Sequence, residues 1–194
     1  MNAAGLSSGF PDLLEELFRE IHRELIRLGD SYEECQGIGA TLSLCWFTPE
    51  WMYFGHIGDS RIYYTPKSGQ MKQLTKDDTH VGWLYRAGSL TEREARNHPR
   101  RNALQQSFEA SNQFIDPQIG AVGLEGGDRF LICSDGLIDG MWDRHIEEGL
   151  VHNDDEVLDH GIADRLVKTA VENPGQDKTT ALVIEVLSKR DGNY

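Results

Sequence analysis

The residues best placed to do chemistry are Asp135, Gly136 and Asp139, which follow the short apolar run Phe130-Leu131-Ile132-Cys133. That run reads as a buried strand. A strand that ends in carboxylates on a glycine turn aims negative charge from a rigid edge, and crowded carboxylates repel one another unless a cation sits between them. Asp-Gly is also a common surface-turn pair, and the segment taken alone favours that simpler reading.

Two more aspartates stand at strand ends. Asp59 follows the strand that ends at Ile57, and Asp177 precedes an apolar run that begins at Thr180. If the last two strands are antiparallel neighbours, the end of one lies beside the start of the other, and Asp135 and Asp177 meet at one sheet edge. If they are parallel or in different sheets, they do not. Oxygen-only ligands of this kind suit Mg²⁺ or Mn²⁺. Zinc is disfavoured, because the histidines are scattered and there is no HExxH or Cys/His cluster. The chain has no GxxxxGK[ST] phosphate loop, no GxGxxG and no GxSxG elbow. If it is an enzyme, metal-activated water is the mechanism left open.

The elements that must hold these residues read as α+β. Pro11 can open a helix, and Leu14, Leu17, Phe18, Ile21, Leu25 and Leu28 follow helical spacing, with Gly29 placed to close it. Strand patterns cover 40–47 and 51–57, joined around Thr48-Pro49-Glu50. Residues 61–65 and 71–74 flank the turn 67–70 as a hairpin. Thr91-Glu92-Arg93-Glu94 is a capping box for a short helix that Pro99 stops. Strands are expected at 118–122, 130–133 and 180–187. A second long helix is expected at 155–172, with Val157, Leu158, Ile162, Leu166, Val167 and Val171 inward. Residues 1–10 read as a loose terminus and 1–194 as a single domain with covering helices.

Composition narrows the function classes. The 194 residues suit one domain with a substantial core, at 39% hydrophobic content. Thirty-two acidic residues against 19 basic ones give a net charge of −13. Such a surface repels phosphate backbones and anionic membranes, so neither nucleic acid nor a membrane is an expected partner. The sparse cysteines Cys35, Cys45 and Cys133 contain no CxxC pair and suit a reducing cytoplasm, with Cys45 and Cys133 as small core residues. No apolar run is long enough to span a bilayer, and the start lacks the basic region of a signal peptide.

Taken in order, the motifs resemble the metal-dependent protein phosphatases of the PP2C (PPM) type, most closely the bacterial ones. Gly37-Ile38-Gly39-Ala40-Thr41-Leu42 is similar to the family's GMGTTL segment, and Gly58-Asp59-Ser60-Arg61 to its GDSR. Leu74-Thr75-Lys76-Asp77-Asp78-Thr79 resembles LTxDHT, and the stretch from Gly88 to Arg101 resembles the flap helix after it. Gly127-Asp128-Arg129 through Asp139 is similar to GDRxLLCSDGLxD, and Gly175 to Thr180 to G-x-D-N-x-T. Six motifs in order cover about 37–186.

The resemblance implies a β-sandwich flanked by helices, with two Mn²⁺ or Mg²⁺ ions at one end and metal-bound water attacking phosphoserine or phosphothreonine. It assigns Asp135 to the carboxylate shared by the core metals and Asp177 to the second core ligand. Asp139 and Asp77 fall at a third, weaker site, and Asp59 is read as support. Phosphoproteins become the implied substrates and a Ser/Thr kinase an implied partner.

Some of the pattern is missing. The arginine, Asp-Gly-x-Gly-Gly and histidine elements that open the family have no counterpart before Gly37, and Lys178 stands where asparagine is usual. The resemblance therefore also implies a chain lacking the family's first strands, with an open sheet edge that another copy could fill. The competing reading is an inactive PP2C fold that binds a phosphoprotein or another partner.

Overall fold

The computed structural model describes residues 9–151, 161–172 and 178–187. In chain order the elements are α1 (Phe10–Ser31), a 3-10 turn (Glu33–Cys35), β1 (Gly39–Ala40), β2 (Leu42–Phe47), β3 (Trp51–Ile57), β4 (Arg61–Thr65), β5 (Lys72–Gln73), α2 (His80–Arg86), α3 (Glu92–Arg96), β6 (Phe108–Glu109), β7 (Gln118–Gly123), β8 (Arg129–Cys133), α4 (Asp135–Gly140), α5 (Asp143–Leu150), α6 (Gly161–Glu172) and β9 (Ala181–Glu185). They divide into two compact units: Met1–Asp59 with Asp77–Gly123, and Ser60–Lys76 with Leu124–Tyr194.

The first unit is built on the antiparallel sheet β2-β3-β7, with β1 and β6 paired separately. The β2–β3 hairpin is tied at its turn, where the Thr48 hydroxyl accepts the Trp51 N–H at 3.0 Å. Helix α1 lays Leu14, Phe18 and His22 inward, and Phe18 meets Phe108 with ring centroids 5.6 Å apart. Leu17 and Leu28, expected on the inner face, are exposed. Gly29 does not close this helix. It lies inside it and is buried, and a Cβ there would stand 2.6 Å from the Ala110 Cβ. Close packing, not capping, is what requires glycine at this position. Phe10, expected within the loose terminus, opens α1 and stacks on Tyr53 at 4.8 Å.

The second unit carries the antiparallel sheet β5-β4-β8-β9. Its core joins Tyr63, Leu131 and Cys133 of the sheet to Leu137, Ile146, Leu150, Leu166 and Ala170 of the helices. Arg129 is buried and paired with Glu185 at 2.9 Å, and it also donates to the Leu150 carbonyl at 3.0 Å. On α6 the buried face is Leu166 and Ala170, whereas Val171 is exposed. The first part of the expected helix, including Val157 and Leu158, lies outside the described residues.

Candidate metal centre

The site is built from the end of β8. Cys133 stands opposite Ala181 in the antiparallel β8–β9 pair, so the condition for bringing these two strand ends together is met. Ser134 N–H donates to the Thr180 carbonyl at 3.1 Å, and Ser134 Oγ accepts the Thr180 N–H at 3.0 Å. The same hydroxyl donates to the Lys178 carbonyl at 3.2 Å. The Asp135 turn is thereby fastened to the strand that enters β9.

Asp135 and Gly136 are not a free turn, as the Asp-Gly pair suggested. They form the first turn of α4, with Ser134 in the N-cap position. The Ser134 side chain makes no cap bond, because it is spent on Lys178 and Thr180. The Asp135 carboxylate accepts the Gly136 N–H at 2.9 Å. Gly136 passes so close to the incoming strand that a Cβ would lie 2.7 Å from the Lys178 carbonyl oxygen. Asp139 follows four residues later on the same helix, which places its Cβ on the face that carries Asp135.

Asp177, the other expected core ligand, lies outside the described residues. Asp77 belongs to the first unit. Its carbonyl accepts from the Arg86 guanidinium at 3.0 Å, and its neighbour Asp78 carries a network that sequence reading passed over. Asp78 Oδ2 accepts the Gly58 N–H at 2.9 Å, its Oδ1 accepts from Gln118 at 3.0 Å, and its own N–H donates to the Gly58 carbonyl at 2.7 Å. Gly58 has φ +116°, a conformation that only glycine adopts without strain. The turn that begins Gly58-Asp59 is thus fixed by Asp78. His56 completes the network, with one ring nitrogen 2.8 Å from Ser43 Oγ and the other donating to the Gly58 carbonyl at 3.0 Å. Burial pushes the Asp78 carboxyl above its ordinary value, against the downward pull of the Gly58 amide and the nearby His56.

In the second unit, Arg61 donates to the Tyr63 hydroxyl at 2.8 Å and pairs with Asp143 at 3.3 Å, while that hydroxyl donates to Asp143 at 3.1 Å. This triad ties β4 to the start of α5. Only the position of Ser134 could have announced α4 from the sequence: a serine, then an acidic first turn, then Leu137 and Ile138.

Asp135 and Asp139 are hard oxygen donors of the kind Mn²⁺ and Mg²⁺ take. In number they fall short: among the described residues, no group of three or more His, Cys, Asp or Glu side chains converges to hold a metal ion. Also among the described residues, no helix is long and apolar enough to cross a membrane.

The profile of the family described as Protein phosphatase 2C matches residues 3–169. The chain belongs to the protein phosphatase 2C family. Within that family it is 35% identical over 154 residues to the serine/threonine protein phosphatase PstP of Mycobacterium tuberculosis, a match that covers 79% of this chain and 29% of PstP. The chain thus spans less than a third of the length of that relative. The crystal structure of M. tuberculosis PstP superposes with a TM-score of 0.80 at 30% identity, covering 93% of this chain and 73% of that one. A second PstP structure, the catalytic domain in complex with two manganese ions, gives 0.74 at 29% identity over 86% of this chain and 67% of that one. The PP2C-type α+β fold is therefore the fold of this protein.

Proposed function

We propose that this chain is a metal-dependent protein serine/threonine phosphatase, acting on phosphoserine and phosphothreonine in protein substrates. The observation that carries the reading is the antiparallel β8–β9 pairing with its Ser134–Thr180 clamp, which fixes the start of α4, and with it Asp135, against the chain that follows Asp177. On this reading Asp135 and Asp177 are core metal ligands, and Asp139 and Asp77 serve a further, weaker site. Mn²⁺ is the favoured ion, by likeness to the PstP catalytic domain solved with manganese, and Mg²⁺ is the alternative. A divalent ion bound by such carboxylates would supply an activated water.

The two units are read as one phosphatase domain, since the family profile runs through both. A Ser/Thr kinase that makes the substrate is the implied counterpart, and the cytoplasm the implied compartment. Pairing of two copies through a sheet edge remains part of the reading, and a strictly monomeric chain in light scattering would remove it.

The second reading is a PP2C fold that binds a partner without turnover. It is favoured by Lys178, which follows Asp177 in the chain where the resemblance puts asparagine, and whose ammonium could compete with a metal ion for that carboxylate. Hydrolysis of p-nitrophenyl phosphate across a Mn²⁺ titration separates the two, with Asp135→Ala as control. Turnover that rises with Mn²⁺ and disappears in Asp135→Ala supports the phosphatase. No turnover from folded protein at any Mn²⁺ concentration supports the binding module.

A further inference from the structure

The charge of this chain is unevenly spread. Residues 80–101 carry five arginines against two glutamates, a local net charge of +3 in a protein of net −13. Helices α2 and α3, which pack on each other, and the turn after them make up this stretch.

Several of its charges are already committed. Glu92 pairs with Arg96 at 3.1 Å, Glu94 closes the capping box on Thr91, and Arg86 is turned onto the Asp77 carbonyl. Arg93 and Arg100 are exposed, and among the described residues neither guanidinium has an acidic partner. Contrast α1, where Arg19, Arg23 and Arg27 are each paired with glutamates of the same helix. The 80–101 segment also presents Trp83, which is 55% exposed and stacked on the His80 ring with centroids 6.1 Å apart. Tyr85 is also exposed on α2. Unpaired guanidiniums together with exposed aromatic rings are the residue types that recur at protein recognition surfaces.

We propose that the α2–α3 segment, residues 80–101, is a docking surface for acidic stretches of a protein substrate, with Arg93 and Arg100 taking carboxylates and the Trp83 ring covering an adjoining side chain. The occupant rests on the phosphatase reading, since it is the substrate that would bring the acidic stretch. Charge selects a short acidic peptide over nucleic acid. A few carboxylates can meet +3 locally, whereas an extended phosphate backbone must also meet the negative remainder of the surface. Guanidinium forks match carboxylates in bidentate geometry.

The test is a binding measurement that needs no turnover. Fluorescence anisotropy would follow a labelled, unphosphorylated octapeptide of alternating Glu and Ser, its Lys-and-Ser counterpart and an eight-residue oligothymidylate. Each is titrated with the full chain and with the Arg93→Gln/Arg100→Gln variant, whose fold is checked by circular dichroism. The acidic peptide should bind the unaltered chain, weaken roughly fivefold to tenfold in the variant as two exposed charge contacts are lost, and weaken further with added salt. Trp83→Ala should weaken it independently of salt. Equal binding of acidic and basic peptides, an unchanged affinity in the double variant, or oligothymidylate binding as tightly as the peptide would each overturn the proposal. Acidic-peptide binding by a chain that shows no p-nitrophenyl phosphate turnover would sustain the docking surface while removing the phosphatase reading.

Discussion

Ser134 and Thr180 hold each other by two hydrogen bonds, the serine N–H to the threonine carbonyl at 3.1 Å and the threonine N–H to the serine hydroxyl at 3.0 Å. One bond is ordinary backbone pairing just beyond β8 and β9. The other replaces a ladder bond with a side chain, and the same hydroxyl reaches back to Lys178. Ser134→Ala removes both side-chain bonds, and because they lie at an exposed edge water can take over the Thr180 N–H and the Lys178 carbonyl. The expected cost is about 0.5–1.5 kcal/mol of stability. If the clamp positions Asp135, the variant's melting temperature should also respond less to Mn²⁺ than that of the unaltered chain. A lower melting point with an undiminished Mn²⁺ response would show that the clamp only stabilises the fold.

Gly136→Ala probes the same junction by crowding it. The added Cβ would sit 2.7 Å from the Lys178 carbonyl oxygen and 3.0 Å from the Thr179 hydroxyl. The first of these is backbone and cannot swing aside. Overpacking of this kind costs about 1–3 kcal/mol, measurable by urea unfolding. A loss below half a kcal/mol would mean that the strand entering β9 yields freely.

Much of this junction was legible in the sequence, and the unread part has a physical cause. The run 130–133 alternates little and ends in Asp-Gly, so the strand was readable but the helix after it was not. The six residues of α4 are too few to show a 3.6-residue period, and their glycines argue for a turn. Helices α2 and α5 escaped for similar reasons, being short and held by packing more than by pattern. By contrast β3 and β4 were readable residue for residue, because each is an apolar run bounded by turn residues. The pairing of β8 with β9 could only be posed as a condition, since register between distant strands is set by tertiary packing. Asp78 stands in the Leu74–Thr79 segment, where nothing in the local pattern gives it a role of its own. Its importance lies in Gly58 and Gln118, which are far from it in sequence.

The Arg129–Glu185 pair should be among the costliest to break. Both side chains are largely buried, at 7% and 15% exposure, and they are 2.9 Å apart. Glu185→Ala leaves the Arg129 charge, among the described residues, with only the Leu150 carbonyl to answer it. Breaking a buried pair from one side costs roughly 3–5 kcal/mol. The double variant Arg129→Met/Glu185→Leu, which buries no lone charge, should recover most of that loss in the same unfolding experiment. A double variant as unstable as Glu185→Ala would place the cost in packing instead of charge.

His22 presents the opposite case. It is buried on α1 beside Phe108, ring centroids 6.2 Å apart, and among the described residues neither ring nitrogen finds a hydrogen-bond partner. A buried donor without a partner costs about 1–3 kcal/mol. His22→Leu keeps an apolar side chain of similar reach against Phe108 and removes both orphaned nitrogens. It should raise stability by a good part of that amount. Destabilisation by the leucine would show that the imidazole shape, or a water on its nitrogens, matters more than the missing bonds.

Tyr64 predicts a pH dependence at the alkaline end. Burial, reinforced by the Asp128 carboxylate that accepts its hydroxyl proton at 3.2 Å, pushes its pKa up from 10.0 to about 12. The folded protein therefore holds the neutral phenol more tightly than the unfolded chain does. The stability this contributes is complete below about pH 10 and is lost as pH rises through about 12. Tyr64→Phe has no phenol to titrate, and Asp128 keeps the Glu125 N–H at 2.9 Å. Denaturation of the two proteins side by side should show the tyrosine form losing ground to the phenylalanine form between pH 10 and 12, with a constant difference below pH 9. A difference that stays constant through the alkaline range would mean that Tyr64 ionises as readily in the folded protein as in the unfolded chain.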